Sequence, residues 1–220
     1  EVDRIHSRVA NKQYDKFLVC WCETPAALDF EAEFGHVKAG SVEMSVEQAE
    51  KRGLLNLILP AAKGEAGCFQ KYHCLDESGE KMPSNANKVS SRIVLTIKID
   101  HVNKKVLKGK IRWVARGFQD DRDVETSCST LSDRMLSVVL SLAAERQWRP
   151  RTADVTAAFL QGEEFESEEE SVWMEIPPLI RDLQSNTYNE KWIRLRKPVY
   201  GLKDAPRAWQ ISFFRVLREK

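Results

Sequence analysis

The stretch Ser91-Arg92-Ile93-Val94-Leu95-Thr96-Ile97-Lys98-Ile99-Asp100, followed after a lysine-rich turn by Lys110-Ile111-Arg112-Trp113-Val114-Ala115-Arg116, sets the fold class. Ile93, Leu95, Ile97 and Ile99 recur with period two, and Arg92, Val94, Thr96 and Lys98 fall between them. That is the signature of a strand with one buried face. In the second run Ile111, Trp113 and Ala115 alternate with Lys110, Arg112, Val114 and Arg116. The two runs predict an antiparallel ribbon with cationic side chains along one surface. Such a surface reads either as a solvated sheet face or as a grip for a polyanion.

Charge is distributed unevenly around the ribbon. The 220 residues carry 34 Lys and Arg against 33 Asp and Glu, a net charge of +1. Divided along the chain, residues 1–80 carry −5, 81–118 carry +9, 119–160 carry −2, 161–190 carry −8 and 191–220 carry +7. Two basic islands sit in a near-neutral chain, and a polyanion needs a local positive surface rather than a high overall pI. With 42% hydrophobic and 30% charged residues, the chain is too apolar for a disordered tail. No run approaches the roughly 18 apolar residues of a membrane span, and no signal-peptide pattern opens the chain. Five cysteines, Cys20, Cys22, Cys68, Cys74 and Cys128, form no regular framework, which fits reduced thiols in an intracellular protein.

Outward from the ribbon, the pattern predicts an amphipathic helix over Asp15 to Phe34, interrupted at Pro25. A capping box at Ser45-Val46-Glu47-Gln48 opens a helix over Ala49 to Leu59, stopped by Pro60. Residues 61–90, rich in Gly, Asn, Ser and Lys, read as a loop. On the other side, Thr130-Leu131-Ser132-Asp133 opens a helix whose stripe of Leu131, Met135, Val138, Val139, Leu142 and Ala143 is expected in the core. Arg151 to Val155 is expected as a short buried strand with Asp154 at its end. Glu163 to Glu170 is an acidic loop, Val172 to Ile176 and Trp192 to Arg196 are strands, and Ala205 opens a helix with Pro206 in its first turn.

Five blocks in this order resemble the reverse transcriptase of copia-type retrotransposons. They are Gly109-Lys110-Ile111-Arg112-Trp113-Val114-Ala115-Arg116-Gly117-Phe118-Gln119, Leu142-Ala143-Ala144-Glu145-Arg146-Gln147-Trp148, Ala153-Asp154-Val155-Thr156-Ala157-Ala158-Phe159-Leu160-Gln161-Gly162, Val172-Trp173-Met174-Glu175-Ile176-Pro177-Pro178, and Tyr200-Gly201-Leu202-Lys203-Asp204-Ala205-Pro206-Arg207-Ala208-Trp209. The match covers Ser91 to the end. It divides the chain into residues 1–90, an N-terminal helical and loop extension, and residues 91–220.

The resemblance implies an α+β, right-hand polymerase with fingers and palm, built on an antiparallel sheet with packed helices. It implies an RNA/DNA primer-template and deoxynucleoside triphosphates as partners, no membrane, and a cytoplasmic place by analogy. Phosphoryl transfer in this family employs two Mg2+ ions held by hard oxygen ligands. Asp154 matches the first carboxylate, and the Val155 carbonyl matches part of the second ion's shell. Phe159 matches the aromatic that packs under the sugar, with an ordinary core Phe as the alternative. Lys110 and Arg112 match the residues that meet the β- and γ-phosphates, where a guanidinium grips bidentately. Lys98 and Arg116 are weaker candidates, with solvation the alternative. Tyr200, Gly201, Lys203 and Pro206 match the turn that cradles the templating base.

The family's remaining metal carboxylates lie in a Tyr-x-Asp-Asp hairpin, and Lys220 comes before that hairpin would occur. The palm is thus expected to be incomplete, and the chain to be a fragment inactive alone. The Asp120-Asp121 pair precedes Asp154 and belongs to the fingers turn. The alternative is a catalytically dead nucleic-acid-binding remnant that grips phosphates with the same cations. A phosphate loop is excluded by Lys104 and Ile111, and the Cys20/Cys22 and Cys68/His73/Cys74 groups lack the Cys-x2-Cys spacing of a zinc site.

Overall fold

The computed structural model describes Phe34 and residues 40–100, 102–167, 171–184 and 190–219. The helix expected over Asp15 to Phe34, apart from Phe34, lies outside them, as do Cys20, Cys22 and the last carboxylates of the acidic loop. Strand β1 (Ser41–Met44) leads through the capping box, in which the Gln48 N–H donates to Ser45 Oγ at 3.1 Å and the Ser45 N–H donates to Gln48 Oε1 at 3.0 Å. Helix α1 (Val46–Lys51) comes next and ends at Gly53, whose φ of +70° breaks the helix. A second helix, α2 (Leu55–Lys71), then begins.

These two helices correct the expectation of one helix stopped at Pro60. Pro60 lies inside α2, which runs on through eleven residues expected as loop. The lost N–H costs one helical bond, but Ile58, Leu59, Ala62, Ala66 and Phe69 all face the core, and their burial outweighs it.

The ribbon forms as the period-two pattern dictates. Strand β2 (Asn87–Val89) is followed by β3 (Ser91–Asp100) and β4 (Lys105–Ala115), the latter two antiparallel with Ile93 opposite Trp113 and Leu95 opposite Ile111. The Asp100 carboxylate holds the turn by accepting the N–H groups of Val102 and Asn103 at 2.9 and 3.1 Å. On the far side of β3, β1 adds a third antiparallel strand, giving the order β1-β3-β4. Strand β4 is left at an edge, and α2 covers it. Glu65 Oε1 accepts the otherwise orphaned N–H of Trp113 at 2.9 Å, and the Phe69 and Trp113 rings stack at 4.6 Å.

A second sheet contains β2, parallel to β5 (Val172–Glu175), and β6 (Trp192–Arg194), antiparallel to β5. Ser91 ties the sheets together, its hydroxyl accepting from Trp113 Nε1 at 2.8 Å and donating to the Glu175 carbonyl at 2.6 Å. One core runs from Met44 through Phe69, Trp113 and Met174 to Leu202. It thus crosses the division expected at residue 90, since β1, α2 and β2 all pack against strands that lie beyond Ser90 in the chain.

Helix α3 (Asp133–Glu145) starts at a Ser132 cap, as expected. Its apolar stripe is not in the core. Val138 is 61% exposed and Met135 53%, and among the six stripe residues only Ala143 is buried. Amphipathic periodicity records a face suited to burial; among the described residues no element lies on it. The stretch from Arg151 to Val155 is likewise exposed and pairs with neither sheet, so the buried strand expected there is absent. The chain turns at Ala157, in the left-handed region at φ 53°, into a 3-10 turn over Ala158–Gln161. Helices α4 (Pro178–Leu183) and α5 (Ala205–Arg218) complete the α+β architecture, each with a proline in its first turn.

Candidate functional site

Lys110 and Arg112 are exposed on the face of β4 opposite Ile111 and Trp113. Their carbon stems rise from a strand held on one edge by β3 and on the other by Glu65, so the sheet fixes the bases of both side chains. Burial pushes the Glu65 carboxyl above its ordinary 4.5, and the Trp113 N–H and the charges of Arg112 and Lys110 only partly offset that.

Tyr200 and Gly201 are strapped to the end of this strand. The Ala115 N–H donates to the Tyr200 carbonyl at 2.8 Å. Gly201 has φ +92°, and a Cβ there would collide with the Ala115 carbonyl, while a Cβ on Gly117 would collide with the Gly201 carbonyl. Only glycine permits this mutual approach. The Tyr200 ring meets Phe69 edge-on at 6.4 Å and Phe159 edge-on at 6.1 Å. Burial, with Glu65 next, pushes the Tyr200 hydroxyl up to about 12, so the ring stays a neutral phenol. Phe159 ends this aromatic row half in solvent.

Lys203 points away from open solvent: its Nζ donates to the Asp120 carbonyl at 3.3 Å and also to that of Arg122. Beside it lies an ion triad that no sequence pattern signalled. Arg122 Nη2 meets Asp120 Oδ2 at 2.7 Å, Arg122 Nη1 meets Asp204 Oδ2 at 3.0 Å, and Asn87 Nδ2 donates to Asp120 Oδ1 at 2.8 Å. The guanidinium also lies over the Phe165 ring at 4.8 Å. Desolvation alone would raise the Asp120 carboxyl, but the bonds from Arg122 and Asn87 and the Arg122 charge hold it below its ordinary 3.8. Asp120 is thereby occupied and does not offer itself as a metal ligand. Pro206, in the first turn of α5, accepts from Cys128 Sγ at 3.5 Å through its carbonyl.

Asp154 and Val155 lie on the exposed stretch before Ala157. Their oxygens are the hard donors a divalent ion takes, but among the described residues no three of His, Cys, Asp and Glu are grouped to hold a metal ion. Among the described residues, Asp154 and the Val155 carbonyl therefore do not make up a two-ion site. Cys68, His73 and Cys74 do not form one either; burial pushes the Cys74 thiol up to about 12, against thiolate formation. The structure thus straps Tyr200 and Gly201 to the end of β4 and sets Phe159 against Tyr200, while Lys110 and Arg112 are exposed farther back along the same strand, Lys203 bonds to the Asp120 and Arg122 carbonyls, and Asp154 lies on the exposed stretch before Ala157.

Comparison with known proteins gives the chain a family. The family model described as reverse transcriptase (RNA-dependent DNA polymerase) matches residues 79–220, and the chain belongs to that family. It is of the copia type. It is 37% identical over 106 residues to the Retrovirus-related Pol polyprotein from transposon RE2 of Arabidopsis thaliana, covering 47% of this chain. It is 34% identical over 138 residues to that from transposon RE1 of the same plant, covering 61%. To that from transposon TNT 1-94 of Nicotiana tabacum it is 28% identical over 171 residues, covering 75%. The matches span only 7%, 9% and 12% of those polyproteins. No solved structure matches the chain. No helix among the described residues is long and apolar enough to cross a membrane.

Proposed function

We propose that this chain supplies the fingers and part of the palm of an RNA-directed DNA polymerase, where it binds the incoming deoxynucleoside triphosphate and positions the primer-template. Lys110 and Arg112 hold the β- and γ-phosphates, Arg112 through two parallel N–H bonds. Phe159 lies under the sugar. Tyr200 and Gly201 form the floor beneath the templating base, and Lys203 and Pro206 fix that floor against the Asp120–Arg122 segment and α5. The observation that carries the reading is the edge-on contact of Phe159 with Tyr200 at 6.1 Å. It joins the sugar-facing aromatic to a turn that is itself bonded to the cationic strand.

The family suggests a divalent-ion requirement, Mg2+ being the ion expected, and Asp154 with the Val155 carbonyl is the ligand this stretch offers. One carboxylate does not hold two ions, so the proposal for this chain is binding and positioning. The test is titration of the chain with dTTP. Lys110→Gln with Arg112→Gln should weaken binding at least tenfold, as expected for loss of charge-assisted phosphate contacts. An unchanged affinity would refute the assignment. In the parent polyprotein, Asp154→Asn should abolish primer extension while template binding persists; an unchanged extension rate would remove Asp154 from the chemistry.

A further inference from the structure

We infer that Glu65 is a positioning residue of the triphosphate site: through the Trp113 N–H it fixes the strand that carries Lys110 and Arg112, and its charge tunes their hold on an anion. The inference rests on the reading of Lys110 and Arg112 as phosphate-binding cations. Glu65 lies outside residues 79–220, the span that matches the family, so no block of the resemblance gives it a part.

Helix α2 meets β4 on either side of the two cations. At Gly109 the strand comes so close to the helix that a Cβ there would lie 3.1 Å from the Leu57 carbonyl oxygen. At Trp113 the N–H donates to Glu65 Oε1 at 2.9 Å, and the indole stacks on Phe69 at 4.6 Å. The helix rises about 12 Å from Leu57 to Glu65, and the strand advances about 13 Å from Gly109 to Trp113. The two elements therefore run in step, and Lys110 and Arg112 stand on the length of strand between the two contacts.

An orphaned edge N–H needs only an acceptor, and a side-chain amide would serve without the cost of burying a charge. A carboxylate at this place is thus not accounted for by the edge of β4 alone. The charged and titratable groups facing it are Lys110 and Arg112 from β4, Cys68 from α2, Cys74 from the turn that follows α2, and Tyr200 from the glycine turn. Burial pushes the Cys74 thiol and the Tyr200 hydroxyl up to about 12 and moves the Cys68 thiol upward from 9.0. Of these groups, Glu65 is the one that changes charge between about pH 4.5 and about pH 8. An anion held on Lys110 and Arg112 is repelled by the ionised carboxylate, so binding it favours the protonated form. The sign follows: affinity for the anion is greatest while Glu65 is protonated, and it falls as pH rises through the raised value.

The experiment measures dTTP affinity of the unaltered chain and of Glu65→Gln from about pH 4.5 to about pH 8. The terminal phosphate of dTTP itself titrates at about pH 6, equally for both proteins, so the readout is the ratio of their dissociation constants. That ratio, unaltered chain over variant, should be near unity at the acid end and reach about threefold or more at the alkaline end, since Gln keeps the acceptor and lacks the charge. Calorimetric titration in buffers of different ionisation enthalpy should show more proton uptake on binding by the unaltered chain than by the variant. Glu65→Ala, which has neither acceptor nor charge, should bind dTTP more weakly than Glu65→Gln at every pH. A ratio flat with pH, equal proton uptake, or an alanine variant that binds as tightly as the glutamine one overturns the proposal. Failure of the Lys110 and Arg112 reading would appear separately, as unchanged dTTP affinity in the Lys110→Gln, Arg112→Gln variant or no dTTP binding by the unaltered chain, and would take this inference with it.

Discussion

Arg122 is the residue at which three distant parts of the sequence meet, since its guanidinium joins Asp120 and Asp204, and Asp120 in turn holds Asn87. Replacing it by Met, similar in length and uncharged, leaves two buried carboxylates facing each other, a loss expected to cost about 3–5 kcal/mol in urea unfolding. The pH dependence carries a sign. The folded Asp120 carboxyl lies below its ordinary 3.8, so its contribution is fully present above pH 3.8 and is lost as pH falls through the depressed value. Arg122→Met should flatten that acid limb. Glu65 has the opposite sign: its folded carboxyl lies above 4.5, so stability is fully present below pH 4.5 and declines as pH rises through the raised value. Glu65→Gln keeps the acceptor for the Trp113 N–H without the charge, and its stability should show no such decline between pH 4 and about 7. A decline of the same size in the variant would refute this account of Glu65. At this scale the sequence is legible where chemistry repeats along one strand, as for Lys110 and Arg112. It is not legible for the triad, because Arg122 and Asp204 lie far apart in the chain and only folding makes them neighbours.

Helices and strands divide in the same way. The β3–β4 ribbon can be read because period-two alternation is a local pattern whose buried face is fixed by its own residues. Helix α3 shows the limit: its stripe is legible, but whether anything covers a stripe is a tertiary fact. Pro60 shows another, since a breaker's local cost is overruled once the rest of the helix is buried in a core. These two helices should respond differently to substitution. Val138→Asn on α3, whose side chain is mostly in solvent, should change the unfolding free energy by less than about 0.5 kcal/mol. Ile58→Ala on α2, fully buried, should cost about 2–5 kcal/mol. Equal costs for the two would mean that α3 is covered by this chain in solution.

At the scale of the whole molecule, the family match takes in residues 79–220, yet the ribbon within it does not complete itself. Residues before the ribbon supply β1 to one edge of β3, α2 to the open edge of β4, and β2 as the parallel partner of β5. Without them Leu95, Ile97, Ile111 and Trp113 would lose the surface that buries them, and the N–H groups along β4 would face water as an unprotected edge. The motifs that carry the resemblance therefore lie in one part of the sequence while much of the material that holds them in place lies in another. A chain begun at Ser91 should accordingly lose its cooperative thermal transition, melting broadly by far-ultraviolet circular dichroism and binding a hydrophobic dye that the 220-residue chain binds less. In the full chain, hydrogen exchange should be slowest at amides of α2, β3 and β4 and fastest among the helices at α3, which no element covers among the described residues. A sharp transition in the shortened chain, at the temperature of the full one, would mean that residues 91–220 fold without the segments packed against them here.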